Sequence, residues 1–545
     1  MAISGRLRPL RVGLSRHRGT ESRASGASPG TELLFTTLDP ALRRRCEVWP
    51  LPPYYYGAPA SVSVGIAEEL LAEVDALVWA VPPHPADVEA LALVRQRLKR
   101  RVPLVYLPLG EFPRGAVAYR RLQQYLEPGD VLAFSSTADL AVHDRLVRTT
   151  PATTCVLPFG IDPAPFLAAA GTRDRTRSRL GLGEDLVLIV HGRTDESKNV
   201  HGAAAVLREV VRQVPKARLW ILGDVPERGP GIPSPVPLSL LGDGPFVARL
   251  RRSLGDLDPA SVTCWGDVPR HLLPELLAAA DVSVNLTLNL DENFGFGAVE
   301  AMAAGLPVVG SDWGGLRDTV DDGVTGFRVD TVLTPRGAAV DVPRAADHVV
   351  ALAGDRRARA AMGAAARARV ERLYTLDHFA QALERLVRSA LADVPERPTH
   401  DWSDLGARLD STYSVPLAGA RRGTFPLPFP VHGTAADWAL QCEVARPYAL
   451  RVQESEPVAG ALYAASRPGE CAAVPGPPVR AAGAPYVLAR LESGPATTAE
   501  LERLDGGGAL SELVRAGEVV RTARPTDWSP QVIEGAPHVG LGHRG

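Results

Sequence analysis

Lysine is almost missing from this chain. Of its 60 basic residues only three are lysine, Lys99, Lys198 and Lys216; the other 57 are arginine. Such a bias fits the codon usage of a GC-rich genome, an actinobacterial one for instance. It also marks out any lysine that stands among other functional groups. Cysteine is scarce as well. Cys46, Cys155, Cys264, Cys442 and Cys471 are widely spaced, odd in number and form no metal-type pair. That excludes a disulfide framework and a zinc ribbon, and it points to a reducing, cytoplasmic compartment. Excess charge of either sign is lacking: the formal net charge is −2, which leaves no footprint for nucleic acid or an acidic membrane. The arginine-rich N-terminus holds no apolar run of signal length, and no stretch reads as a membrane span.

With 45% hydrophobic and 22% charged residues over 545 positions, the chain can bury ordinary cores and is long enough for about three domains. LRVGLS, CEVWPLP, ALVWAV, PLVYLPLG, VLAFSS and TCVLPFG are short apolar runs. Helical patterns such as GIAEELLAEV and VEALALVRQRLKRR separate some of them. This alternation predicts an open parallel α/β sheet, interrupted by a Gly/Ser-rich loop over Arg18 to Gly30. The pattern restarts near Leu186 with LVLIVHG, ARLWILGD, VTCWGD, VSVNLTL, PVVGSD and GFRVD, and a Pro/Gly-rich loop from Arg228 to Val236 follows the second strand. The predicted fold class is therefore α/β, with two doubly wound Rossmann-like domains facing across a cleft, where ligands of such sheets bind. The expected boundaries are 1–168 and 169–375, with a crossover helix at about 376–390 returning to the first domain.

A linker over 391–410 and an accessory module over 411–530 follow, then a disordered tail over 531–545. Within the module, PYVLARLESGPATTAELERLDGGGALSELVRAGEVVRT reads helix, turn, helix, helix, strand. That is a small winged-helix-like pattern, giving the C-terminal module an α+β character. Its acidic residues Glu492, Glu500, Glu502 and Asp505 argue against DNA, which leaves an acceptor, protein or peptide partner.

The stretch richest in chemistry begins at Asp291: DENFGFGAVE, followed by AMAAGLPVVGSDWGGLRDTV. Asp281 to Leu290 alternates and is rich in Val, Leu and Thr, predicting a strand with Glu292 at its carboxyl end. Asn293 and Gly295 suit a tight turn and a helix start. The helix then runs from Phe296 to Ala304, and Gly305 ends it. Backbone N–H groups near Gly295 to Gly297 would leave a helix N-terminus, which favours anions and hydroxyl oxygens. Glu300 lies about a turn inside the helix. At roughly 1.5 Å of rise per residue it is on the order of 10 Å from Glu292. That is about the span from the sugar ring to the ribose of a nucleotide diphosphate sugar. A carboxylate accepts two hydroxyl hydrogen bonds at once, which suits a cis-diol.

A second constellation, His191-Gly-Arg-Thr-Asp-Glu-Ser-Lys-Asn199, directly follows the strand LVLIV. Gly192 lets the backbone turn closely. Arg193 offers a planar fork and Lys198 a point charge, and together they would neutralise a diphosphate leaving group.

The ordered set VLPFGID, GR-x4-K, LGD, WGDV, E-x7-E, GGLRDTV and DGVTGF, covering roughly Thr153 to Asp330, resembles the retaining GT-B glycosyltransferases of the family four type. RDTV is similar to glycogen and starch synthases of the same fold. The resemblance implies that Arg193 and Lys198 bind the donor diphosphate and Glu300 the ribose. Glu292, with the backbone of Asn293, Phe294, Gly295, Phe296 and Gly297, would hold the sugar. The loop from Gly266 to Val268 would lie near the base. It further implies retention by front-side attack, with the leaving phosphate taking the acceptor proton, and neither a metal nor another cofactor. The first half departs from the family. No histidine follows its fourth strand, which ends in Leu107-Pro-Leu-Gly-Glu111, and the first strand leads into Gly13-Leu-Ser-Arg-His17 rather than a glycine pair. Glu111, His17 or Tyr54-Tyr-Tyr56 would serve the acceptor side, or be ordinary loop residues. A sugar phosphorylase would need a pyridoxal lysine, for which the second domain offers only Lys198 and Lys216, and epimerases prefer a different acid–base set. A non-catalytic nucleotide-sugar sensor of the same fold is the alternative from another class.

Overall fold

The structure is a computed structural model. It describes residues 9–14, 39, 42–50, 60–79, 85–98, 101–108, 122–147 and 149–394 apart from 195–197, 226, 228–234, 290–291 and 335–336. Further on it describes 449, 451–452, 457, 462–465, 467–468, 481–492, 495–505, 508–516, 519–522 and 531–534. Readings made on Arg18 to Gly30, His17, Tyr54 to Tyr56, Glu111, Arg228 to Ser234 and residues 395–410 lie outside the described residues. Two units divide the chain: residues 1–162 with 372–429, and residues 163–371 with 430–545.

The first unit is built on six parallel strands: β1 (Arg11–Leu14), β2 (Glu47–Pro50), β3 (Ala76–Trp79), β4 (Leu104–Tyr106), β5 (Val131–Phe134) and β6 (Thr153–Val156). They lie in the order β2-β1-β3-β4-β5-β6. Each falls on one of the six apolar runs. Helices α1 (Ala60–Glu73), α2 (Pro85–Arg97) and α3 (Thr137–Leu146) connect some of them. β3 to β5 are buried along their whole length, which is why they read as unbroken apolar segments and not as alternating ones. One further helix of this unit, Leu376–Asp393, sets Phe379 edge-on against Phe159, with ring centroids 5.7 Å apart. It runs past Ala390, so residues 391–393, expected to open a linker, are helical.

In the second unit α4 (Arg173–Arg179) leads to β7 (Leu186–His191), α5 (Val200–Val211), β8 (Ala217–Leu222) and β9 (Val236–Pro237). There follow α6 (Pro245–Leu254), β10 (Val262–Gly266), α7 (Leu273–Ala279), β11 (Val282–Asn285), α8 (Phe296–Ala303), β12 (Val308–Ser311) and β13 (Gly326–Val329). The sheet order is β13-β12-β11-β7-β8-β10-β9, parallel except for the edge strand β9. The first strand of the unit, β7, thus sits centrally between β8 and β11, and the chain winds away from it in both directions. Such a reversal of winding opens a crevice at the carboxyl ends of the two central strands. At their opposite ends Asp281 ties the unit together: it accepts from Val187 N at 2.9 Å and pairs with Arg173 and Arg177 at 2.7 and 3.1 Å.

Three findings differ from the sequence expectations. β11 ends at Asn285 and does not run on to Leu290. Beyond it the carbonyl of Thr287 accepts from Ser311 Oγ and that of Asn289 from Trp313 Nε1, so the backbone bonds a neighbouring loop instead of a sheet partner. Second, β14 (Thr331–Thr334) and β15 (Gly337–Val340) form an antiparallel hairpin after β13. Third, Gln531–Glu534, expected within a disordered tail, is a strand, β21, paired antiparallel with β15. β16 (Arg451–Val452) takes the other edge, beside β14, and β18 (Arg467–Pro468) lies beyond β21.

Among the described residues the C-terminal region also holds three helices, α12 (Ala484–Glu492), α13 (Thr498–Asp505) and α14 (Ala509–Ala516), following α9 (Val342–Gly354), α10 (Arg356–Leu373) and α11 (Leu376–Asp393) in chain order. They accompany a small antiparallel sheet of β17 (Leu462–Ala465), β19 (Ala496–Thr497) and β20 (Val519–Thr522). Val487, Leu501, Leu510, Leu513, Val514 and Val519 are fully buried in their shared core.

Candidate functional site

The crevice at the carboxyl ends of β7 and β11 is where the charged residues gather. β7 and β11 are direct neighbours, with Val282 opposite Leu188 and Ser283 opposite Ile189. Both therefore release their loops on the same edge of the sheet. After β7, Gly192 adopts φ +120° with open space where a side chain would stand, and Arg193 follows, exposed. The loop ends at Asn199, a residue in the left-handed region at φ 53°. Asparagine tolerates that conformation, and here its side chain caps α5 by accepting from Gly202 N at 3.0 Å. The capped turn places Lys198 Nζ on Glu292 Oε2 as an ion pair.

Glu292 reaches that point through a tight loop. Its N–H donates to Asn289 O at 3.0 Å, and its carbonyl accepts from Gly315 N at 2.6 Å. Phe294 is fully buried and stands edge-on to Phe296, with ring centroids 5.0 Å apart. Gly295 then starts α8 at φ +85°, and no side chain caps the helix. The positive φ calls for glycine, and a Cβ on Gly295 would also come 2.7 Å from Leu316 Cδ2 and have to displace it. On Gly297 a Cβ would stand 3.3 Å from His191 O and 3.5 Å from His191 Nε2, which keeps the first turn of α8 close against the end of β7. Ala298, Ala301 and Ala303 are fully buried, and their small side chains let α8 sit close on the sheet.

Glu300 is 4% exposed, and a lone carboxylate there would cost several kcal/mol. Two donors compensate. His191 Nε2 lies 3.2 Å from Oε2, and Arg270 Nη2 bonds Oε1. Burial pushes the carboxyl up; the hydrogen bond from His191 and the charge of Arg270 outweigh it and hold the group below its ordinary value. Glu300 is therefore ionised at neutral pH and can only accept, which makes His191 Nε2 the donor. Each oxygen spends one lone pair on its partner and keeps another, so two adjacent hydroxyls can still be received. Arg270 lies on the loop after β10, two residues past half-buried Val268. Its side chain is 53% exposed, free to follow a ligand.

Reading the sequence singled out Glu292, Glu300, Lys198, Arg193, Gly192, Val268 and residues 293–297. Around the crevice the structure joins Lys198 to Glu292 directly. It adds two residues whose part had not been foreseen, His191 and Arg270, both on Glu300. His191 carried a signal, since it is a polar residue closing an otherwise apolar strand. Arg270 carried none among so many arginines. Among the described residues no group of three or more His, Cys, Asp or Glu is gathered in the way a metal ion needs. No helix among them is long and apolar enough to cross a membrane.

Residues 172–368 match the family model described as glycosyl transferases group 1. A GDP-mannose-dependent alpha-(1-6)-phosphatidylinositol monomannoside mannosyltransferase of Mycolicibacterium smegmatis is 32% identical over 217 residues, which is 39% of this chain and 50% of that protein. A D-inositol 3-phosphate glycosyltransferase of Geodermatophilus obscurus is 36% identical over 210 residues, covering 35% of this chain and 43% of that protein. The chain thus spans half or less of the length of these two relatives. The mannosyltransferase of the first type from Mycobacterium tuberculosis is 27% identical over 367 residues, 66% of this chain and 82% of its own. Among solved structures, Anabaena HepE in complex with UDP superposes with a TM-score of 0.51 at 17% identity, over 70% of this chain and 100% of that one. This likeness concerns the fold.

Proposed function

With residues 172–368 forming a glycosyl transferases group 1 domain in a chain of the GT-B fold, we propose that the protein is a retaining glycosyltransferase that moves a sugar from a nucleotide diphosphate sugar to an acceptor. The observation that carries this reading is the pair of buried carboxylates, Glu292 and Glu300, each already matched to a cation at the switch point of one sheet. In this reading Glu300 receives the ribose hydroxyls on its remaining lone pairs. Lys198 turns from Glu292 to the diphosphate, joined by Arg193, whose fork spans two phosphate oxygens. Gly192 lets the backbone approach them. Glu292 and the N–H groups of residues 293–297 hold the sugar at the uncapped start of α8, where the helix dipole favours developing negative charge. Val268 borders the base.

Two cations beside the diphosphate make it a better leaving group. The bond from the anomeric carbon to phosphate breaks, the acceptor oxygen bonds the same face, and the acceptor proton passes to the departing phosphate oxygen. Configuration is retained, and the charge on the leaving group is met by side chains without a metal ion. GDP-mannose, named for the mannosyltransferase relatives, and UDP, named with HepE, set the donors to try first. Neither Cys46 nor Cys155 is in a disulfide, in keeping with a cytoplasmic protein that draws on the cytoplasmic nucleotide-sugar pool.

The test is a thermal-shift screen against GDP, UDP, ADP and their sugars, followed by donor turnover. A ligand at a hundredfold excess over its Kd stabilises the native state by about 2.7 kcal/mol, which is readily seen as a higher Tm. Lys198→Ala should weaken donor binding at least tenfold, and Glu292→Ala should remove turnover. Donor binding as tight as wild type in the first variant, or undiminished turnover in the second, would sink the assignment. Tight binding of a nucleotide sugar with neither hydrolysis nor transfer would make the protein a sensor.

A further inference from the structure

The loop that carries Glu292 is held from behind by a tryptophan, and that tryptophan's backbone is bridged to Ala449 of the C-terminal region. Trp313 is 1% exposed, and its indole donates to Asn289 O at 2.9 Å. The same carbonyl accepts from Glu292 N at 3.0 Å, so one oxygen fixes both the tryptophan and the backbone of the glutamate. Two residues on, Gly315 N donates to Glu292 O at 2.6 Å. Ser311 Oγ bonds Thr287 O at 2.5 Å. Ser311, Trp313 and Gly315 thus hold Thr287, Asn289 and Glu292 in turn. Trp313 in turn forms an antiparallel bridge with Ala449, which is buried. Just beyond Ala449, Arg451 and Val452 pair with Val332 and Leu333 of the hairpin that follows β13.

We infer that Trp313 is a positioning residue for Glu292, and that the C-terminal region, through Ala449, holds Trp313 in that position. The segment from Ala449 to Val452 is then part of the donor site's support. The inference rests on the reading of the crevice as a donor site. By reciprocity, whatever orders the Glu292 loop must also steady the segment around Ala449.

Hydrogen exchange on the full chain tests this, with GDP-mannose and UDP-glucose as probes. Binding should slow the amides of 286–297 and, together with them, the peptide that spans Ala449 to Val452. Protection of 286–297 with the Ala449 peptide unchanged would overturn the inference and leave the donor site standing. Protection of neither by any nucleotide sugar would overturn the donor site and the inference with it. Trp313→Phe keeps an aromatic ring and removes the indole donor. In that variant kcat for donor hydrolysis should fall about tenfold, while the Kd for GDP or UDP stays within about threefold, because Glu292 meets the sugar and not the nucleoside. Equal loss of both would reduce Trp313 to a packing residue, and no change in either would remove it from the site.

Discussion

At Glu300 burial and pairing pull in opposite directions, and pairing wins. A group held below its ordinary value of 4.5 contributes stability that is fully present above that pH and is lost as pH falls through the lowered value. The stability gap between wild type and Glu300→Gln should therefore be constant from about pH 8 to 5 and close only below the ordinary carboxylate range, as urea titrations across pH would record. A gap that instead changed between pH 6 and 8 would place a histidine, not Glu300, in control. In the proposed role the same substitution removes a charged acceptor from the ribose hydroxyls. Hydrogen bonds to charged groups are worth about 1.5–3 kcal/mol, so nucleotide affinity should drop by roughly one to two orders of magnitude in calorimetry. Both carboxylates were legible in the sequence, because their spacing and the glycines between them are local. Their partners were less so. Lys198 stood out only because lysine is so rare in this chain, and Arg270 reaches Glu300 through a fold that no local pattern announces.

Among the elements, the loop that leads from Glu292 into α8 and the turn at Gly315 are fitted to each other. A Cβ there would drive into the carbonyl of Asn293 and stand 2.6 Å from Phe294 N, although Gly315 itself has ordinary helical angles, φ −67° and ψ −17°. The requirement is space and not backbone freedom. Gly315→Ala should cost about 1–3 kcal/mol by overpacking. Since the displaced atoms belong to the loop that carries Glu292, donor turnover should fall by more than the loss of folded protein accounts for. Melting curves and turnover on the same samples separate the two, and a variant with wild-type Tm and turnover would show that the loop yields freely. The parallel strands of the two main sheets were readable because buried parallel strands are unbroken apolar runs; the antiparallel edge strand β9 was not. β11 was overread for the same reason: Leu286 and Leu288 are buried, which prolongs the apolar alternation, but their backbone is turned to a loop. Hydrophobic pattern reports burial, and only long-range pairing decides whether a buried segment is a strand.

On the scale of the whole chain, the region after Pro395 was the least legible, and its pairing explains why. β16 and β21 are short strands whose partners lie on a hairpin more than a hundred residues earlier in the chain, so neither carries a signal of its own. They close both edges of that hairpin. β14 and β15 place Val332, Leu333, Ala338 and Val340 in the interior, each at most 4% exposed. Open edges of apolar strands invite pairing between molecules. A chain ended at residue 446 would lack both covering strands and the contact of Ala449 with Trp313, while keeping both parallel sheets and every residue assigned to the donor. Such a chain should fold with a lower Tm and associate as concentration rises, and light scattering across a dilution series would follow that association. It should still bind GDP or UDP, because Glu300, Lys198 and Arg270 depend on β7, β10 and α8, but turn over the donor more slowly, as Trp313→Phe should. If the shortened chain stayed monomeric at wild-type Tm and turnover, the C-terminal strands would be ornaments on the hairpin. If it lost nucleotide binding altogether, the support they give would extend past the Glu292 loop to the ribose carboxylate as well.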